Sequence, residues 1–136
     1  MKKLRLLSIF LICFLASCTN SHLPDVDGMW QLKTIEDAAG HVQTVDSVYY
    51  SFQKQRLFTY TQLSGGPMQF DPTLIVYGYV DFPANDRMFI HIDASGAGYA
   101  PLLPWHSESV TYTILKLTSK EMVLEDEGDI YRFINF

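Results

Sequence analysis

The chain has 136 residues, of which 48% are hydrophobic and 14% aromatic, with two cysteines and a formal net charge of −5. That length fits one domain. The acidic balance argues against nucleic acid and anionic lipid surfaces as direct partners, because both repel negative charge.

The first element is a leader. Lys2, Lys3 and Arg5 give a positive start, and "LLSIFLICFL" (6–15) is a run of ten residues, apolar except for Ser8. A membrane-spanning helix needs about 20 apolar residues, so this run is too short to span. A positive start, a short apolar run and small residues describe a secretory signal over residues 1–17. "LASC" (15–18) resembles the bacterial lipobox, in which small side chains fit the peptidase and the thiol takes a diacylglycerol. Cys18 is thus the expected lipidation site and first mature residue. The mature chain would run to Phe136, 119 residues, and would carry seven basic against 15 acidic residues, a net charge of −8. With Cys13 removed and Cys18 acylated, no thiol is left for a disulfide or a thiolate metal site. Membrane attachment would rest on palmitate-type acyl chains, each buried CH₂ giving about 0.8 kcal/mol.

"TNSHLPDVD" (19–27) reads as a polar tether, reaching roughly 30 Å if extended, so that residues 18–27 form the lipidated start and its spacer. Thr19 stands where an Asp would resemble an inner-membrane retention signal. That favours the cell envelope's outer membrane, with the domain facing the periplasm.

From Gly28 onward the chain is rich in Tyr, Phe, Val, Ile and Thr, the types that suit a pleated surface. Short runs of this kind alternate with turn clusters. Strands are expected at 28–36, 48–53, 56–63, 73–82, 87–93, 110–118, 122–127 and 130–136, with "SGGP" (64–67) breaking the chain and Gly78 marking a bend or bulge. Eight strands joined mostly by short turns are best satisfied by an all-β fold, an up-and-down antiparallel β-barrel whose closure removes exposed edges. Only "ASGAGYAPLLPWHSES" (94–109) departs from the meander. With Leu102, Leu103 and Trp105 at its tip, it can plug one barrel end or cover a ligand as a lid, and one loop can do both.

"DGMW" (27–30) resembles the glycine-x-tryptophan signature of lipocalins. It is followed in order by "YYSFQ" (49–53), "LTSKEMVL" (117–124) and a terminal "YRFINF" (131–136). Behind a lipobox, this series resembles the lipocalin-like lipoprotein domains of anaerobic Gram-negative bacteria, over most of residues 28–136. The resemblance implies that Trp30 closes the narrow end of the barrel. It also implies that an Arg near the chain end packs across that Trp, which makes Arg132 the expected partner.

If Trp30 faces inward, alternation carries Leu32, Tyr50, Phe52, Val76 and Val80 inward as well. On the later strands it does the same for Met88, Ile90, Leu117, Met122, Leu124, Tyr131 and Phe133, and Phe58 and Tyr60 join them. An eight-stranded barrel is either filled by side chains or just wide enough for one small ligand. The candidate ligand-lining residues are Tyr50, Phe52, Phe58, Tyr60, Val80, Met88, Ile90, Trp105 and Tyr131. They suit a small apolar or amphipathic molecule; a filled barrel serving as a tethered adaptor for a protein partner is the alternative.

Other chemistry is thin. His91 and Asp93 share a strand face, and His106 and Glu108 lie in the long loop, but nothing in the sequence fixes the loop against the strand. These four read as solvated polar residues rather than metal ligands. "EDEGD" (125–129) lacks the alternation of a calcium loop and reads as a hairpin turn. "GAG" (96–98) opens no helix after a strand. With no serine in a nucleophile elbow and no free thiol, neither catalysis nor a cofactor nor a metal is expected.

Overall fold

The computed structural model describes residues 24–64 and 72–136. The expected signal, Cys18 and most of the expected break at 64–67 lie outside the described residues. Nine strands follow in order: β1 (Gly28–Glu36), β2 (Val42–Thr44), β3 (Val48–Gln53), β4 (Leu57–Leu63), β5 (Pro72–Ala84), β6 (Arg87–Ile92), β7 (Ser109–Leu117), β8 (Glu121–Asp126) and β9 (Asp129–Asn135). A 3-10 segment, Ala97–Leu102, stands between β6 and β7. All ladders are antiparallel, and β1 pairs with both β3 and β9. Eight strands therefore close a barrel, while the ninth, β2, adds to the far half of β1 through Thr34↔Thr44 and its neighbours. This extra strand is three exposed residues long, too short and too polar to read as a strand from sequence.

Alternation sets the inside and outside. On β5, Val76, Val80 and Phe82 point in, whereas Ile75, Tyr77 and Tyr79 are exposed on the outer face. On β6, Met88, Ile90 and Ile92 are buried. Each such side chain withdrawn from water contributes about 1.5–3 kcal/mol. Strand β7 departs from one phase. A register shift between Ile114 and Lys116 moves the alternation by one residue, so Val110 and Tyr112 face in before it and Leu117 turns inward after it. That is how a bulge acts on a pleated strand.

Gly78 does not mark a bulge. The β5 ladders run through it, to Phe58 on one side and Ile92 on the other, and the irregularity on the β6 side falls between Asp81 and Ala84. What Gly78 provides is proximity: a Cβ there would overlap the His91 carbonyl and come within 2.9 Å of the Ile92 Cα. The acidic run 125–129 forms the β8–β9 hairpin, with Asp126 opposite Asp129 and positive φ at Glu127 and Gly128, as a two-residue hairpin turn requires.

The two ends of the barrel are built differently. At one end lie the tight β3–β4, β5–β6 and β7–β8 turns and the start of β1. There Val26, expected in the tether, is fully buried, and its carbonyl accepts the Trp30 indole N–H at 2.8 Å. The Asp27 carboxylate accepts the Gln55 backbone N–H at 2.6 Å, which ties the incoming chain to the β3–β4 turn. Trp30 thus sits at this end, but Arg132 does not stack on it. The first and last strands pair as expected, yet Trp30 lies opposite Asn135 and Arg132 opposite Thr34. Four residues of strand separate them, roughly 13 Å. The Arg132 guanidinium instead donates to Glu36 at 3.3 Å on the outer surface.

Candidate functional site

The opposite end carries the β1–β2–β3 excursion and the β6–β7 loop. The loop is organised from its first turn. The Asp93 carboxylate accepts the backbone N–H groups of Ser95 and Gly96, at 3.0 and 3.2 Å. Gly96 then packs against β5, where a Cβ would lie 2.6 Å from Val76 Cγ1. After the 3-10 segment, Leu103 is fully buried and Trp105 nearly so, whereas Leu102 is 64% exposed. The expected three-residue apolar tip is therefore two residues, because Leu102 points away from the barrel.

Trp105 enters the middle of the barrel. Its ring centroid lies 5.8 Å from Tyr50, 6.2 Å from both Phe58 and Tyr60, and 6.4 Å from Tyr112. Several of these contacts are edge-on, a geometry favoured by aromatic quadrupoles. Tyr50 also touches Phe133, at 4.7 Å. The barrel centre is thus occupied by aromatic rings, one of them supplied by the loop.

The polar atoms of this aromatic centre are unevenly matched. The Tyr50 and Tyr112 hydroxyls bond to each other at 3.0 Å. The Tyr60 hydroxyl donates to Gln62 at 3.0 Å, and Tyr131 reaches the Pro104 carbonyl at 3.5 Å. The Trp105 indole N–H is buried and has no acceptor among the described residues. A buried donor left unpaired costs about 1–3 kcal/mol. Burial raises the hydroxyls of Tyr50 and Tyr112 well above the ordinary tyrosine value, and pushes Tyr60 and Tyr131 up to about 12. All four stay neutral at physiological pH.

Beside the loop a groove of about 680 Å³ opens at this end, with Leu32, Val48, Leu103 and Tyr131 along its apolar side. Its rim is acidic. Asp37 and Asp46 are paired, with His41 at 3.1 Å and Lys33 at 2.7 Å. Backbone donation from His41, foremost, holds the Asp37 carboxyl below its usual value. Asp129 lines the same groove. Next to it Asp126 is raised, first by burial and then by Glu127, Glu125 and Asp129.

The residues read from sequence as ligand-lining come together. Tyr50, Phe52, Phe58, Tyr60, Val80, Met88, Ile90, Trp105 and Tyr131 belong to one buried cluster. Tyr112 and Leu103 belong to the same cluster and were not among the candidates; the alternation Val110-Tyr112-Ile114 was the available signal. The polar residues weighed as a set stay apart in role. His91 is exposed and stacks on Phe89, Asp93 starts the loop, His106 meets the Pro101 carbonyl at 2.9 Å, and Glu108 is exposed. Among the described residues no three His, Cys, Asp or Glu side chains are grouped to hold a metal ion.

The comparisons agree with this architecture. A lipocalin-like domain family matches residues 12–136, so the chain belongs to that family. Among solved structures, a lipocalin-like protein from Bacteroides uniformis is similar, at 26% identity and a TM-score of 0.71, over 82% of this chain and 99% of that one. An uncharacterized protein from Bacteroides eggerthii is similar at 27% identity and a TM-score of 0.69, over 82% of this chain and 100% of that one. No curated protein matches the chain. The lipocalin-like barrel suggests a small-ligand-binding type of domain.

Proposed function

We propose that this protein is an outer-membrane lipoprotein, held by acyl chains on Cys18, whose barrel binds a small apolar or amphipathic molecule without catalysing a reaction. The observation that carries the binding reading is the loop end of the barrel. A groove of about 680 Å³ runs to the buried Leu103 and Tyr131, beside an aromatic centre whose Trp105 N–H has no acceptor among the described residues. The loop side chains fill space that a ligand of similar size would take. The envelope reading rests on the sequence pattern "LASC".

Native mass spectrometry of the protein released from its own membrane tests the binding reading. A co-purifying small molecule, retained in a 1:1 complex, is the expected result. A bare chain that also fails to take up added apolar molecules would overturn it. For the anchor, Cys18→Ala is expected to release the protein from the membrane fraction or block its maturation. Normal cleavage and unchanged membrane fractionation of that variant would contradict the lipobox.

One observation favours a second reading, a membrane-tethered adaptor. Ile75, Tyr77 and Tyr79 expose an apolar stripe on the outer face of β5, the kind of surface that protein partners cover. Crosslinking from Tyr77 in cells would separate the two: a single specific crosslinked protein supports the adaptor.

A further inference from the structure

We infer that the molecule taken into this barrel is uncharged and bears a hydrogen-bond acceptor, such as a ketone, ester or amide carbonyl on an apolar body, and that it takes the place of the Trp105 side chain. This rests on the small-ligand reading above and adds the chemistry of the ligand. Three rings meet at the barrel centre, those of Tyr50, Tyr112 and Trp105, bringing two hydroxyls and one indole N–H. Together they bring three protons to donate. The one bond between the hydroxyls uses a single proton, and no acceptor among the described residues takes the indole N–H. Two protons, that of one hydroxyl and that of the indole, are therefore left without an acceptor among the described residues. When Trp105 withdraws with its loop, the paired hydroxyls remain, neutral and with one proton free for an acceptor oxygen.

Charge on the ligand is opposed from two sides. No charged side chain is buried among the described residues, so a carboxylate carried inside would lose its hydration and gain no counter-ion, a heavy cost. The way in passes Asp129 on the groove rim, whereas Asp37 and Asp46 there are paired with His41 and Lys33. Asp129 adjoins Glu127 and Asp126 on the β8–β9 turn, and like charge at this range repels an incoming anion within a Debye length. A cation would meet the rim favourably but would find no buried carboxylate inside. An uncharged molecule meets neither obstacle. Its carbonyl oxygen also takes the free hydroxyl proton of the Tyr50–Tyr112 pair. The geometry that admits an indole admits a bicyclic ring of that size.

The test uses three probes of nearly one shape, 2-acetylnaphthalene, 2-ethylnaphthalene and 2-naphthoate, in equilibrium dialysis against the full protein. The expected order is acetyl, then ethyl, then naphthoate, with acetylnaphthalene held about tenfold more tightly than naphthoate. Tyr50→Phe and Tyr112→Phe combined in one variant are expected to bring acetylnaphthalene down to the level of ethylnaphthalene and leave the latter unchanged. If naphthoate binds as tightly as the acetyl probe, the inference fails while ligand binding stands. If the ethyl and acetyl probes bind alike to the unaltered protein, the acceptor is irrelevant and the inference fails, whatever the variant does. If none of the three is retained, the inference and the small-ligand reading fall together.

Discussion

The chain has two tryptophans, Trp30 at the base of the barrel and Trp105 brought into its middle from the loop end, and they are treated in opposite ways. Trp30 sits on a strand, and its N–H is bonded to the Val26 carbonyl four residues away. It is sealed by its own incoming chain. Trp105 sits on a loop, is nearly as deeply set, and leaves its N–H without an acceptor among the described residues. Both rings exclude water, but only one is completed by hydrogen bonding. The satisfied end is a structural base. The end with the unsatisfied donor is where a replacement for the side chain would be tolerated best, since the departing indole regains an acceptor from water, which offsets part of the burial it loses.

The comparison can be broken first at Trp30. Trp30→Ala is expected to cost about 3–5 kcal/mol, the range for emptying a large aromatic site, measured by urea unfolding. A loss as small as that of a surface change would mean that Val26 and Trp30 do not form the base. Gly78→Ala probes the barrel wall that both ends share. Its Cβ would press on the His91 carbonyl and the Ile92 Cα, backbone atoms that yield little, so about 1–3 kcal/mol should be lost. A neutral result would show that β5 and β6 can separate without penalty. The smallest effect is expected from pH. Tyr50 and Tyr112 have hydroxyls raised above their ordinary value of 10.0 by burial, and Tyr60 and Tyr131 are raised to about 12. Below pH 10 both folded and unfolded chains hold these protons, so the tyrosines give stability no slope. Above it the unfolded chain releases them first, and stability should fall as pH rises through the folded values. Unfolding curves at neutral pH and above pH 10 would check this, and a stability that rose on that side would contradict the buried placement of the hydroxyls.

Much of this arrangement was legible in the sequence, and the reasons it was not legible throughout are physical. Alternation from Trp30 placed Tyr50, Phe58, Tyr60 and Tyr131 inside because these strands keep a period of two up to the core. The loop 94–109 announced itself by its length and its Gly and Pro content. Tyr112 escaped because the shift between Ile114 and Lys116 changes phase within one strand; counting back from Leu117 puts Tyr112 on the wrong face. Arg132 escaped for a related reason. That β1 and β9 meet follows from closure, but their register depends on a further shift between Leu32 and Thr34, which the sequence does not mark. Val26 looked like tether because its burial depends on Trp30, not on its polar neighbours. Pairing partners follow from the pattern of strands, whereas register follows from single-residue irregularities.

Whether a ligand can take the place of Trp105 is decided by Trp105→Ala. The neutral fluorescent probe N-phenyl-1-naphthylamine would be titrated into this variant and into the unaltered protein, with an unfolding curve run beside each. The account predicts a folded variant, clearly more stable than Trp30→Ala, that takes up one probe per barrel more tightly than the unaltered protein. A variant that loses as much stability as Trp30→Ala and gains no probe binding would contradict it, and would make Trp105 a permanent part of the core.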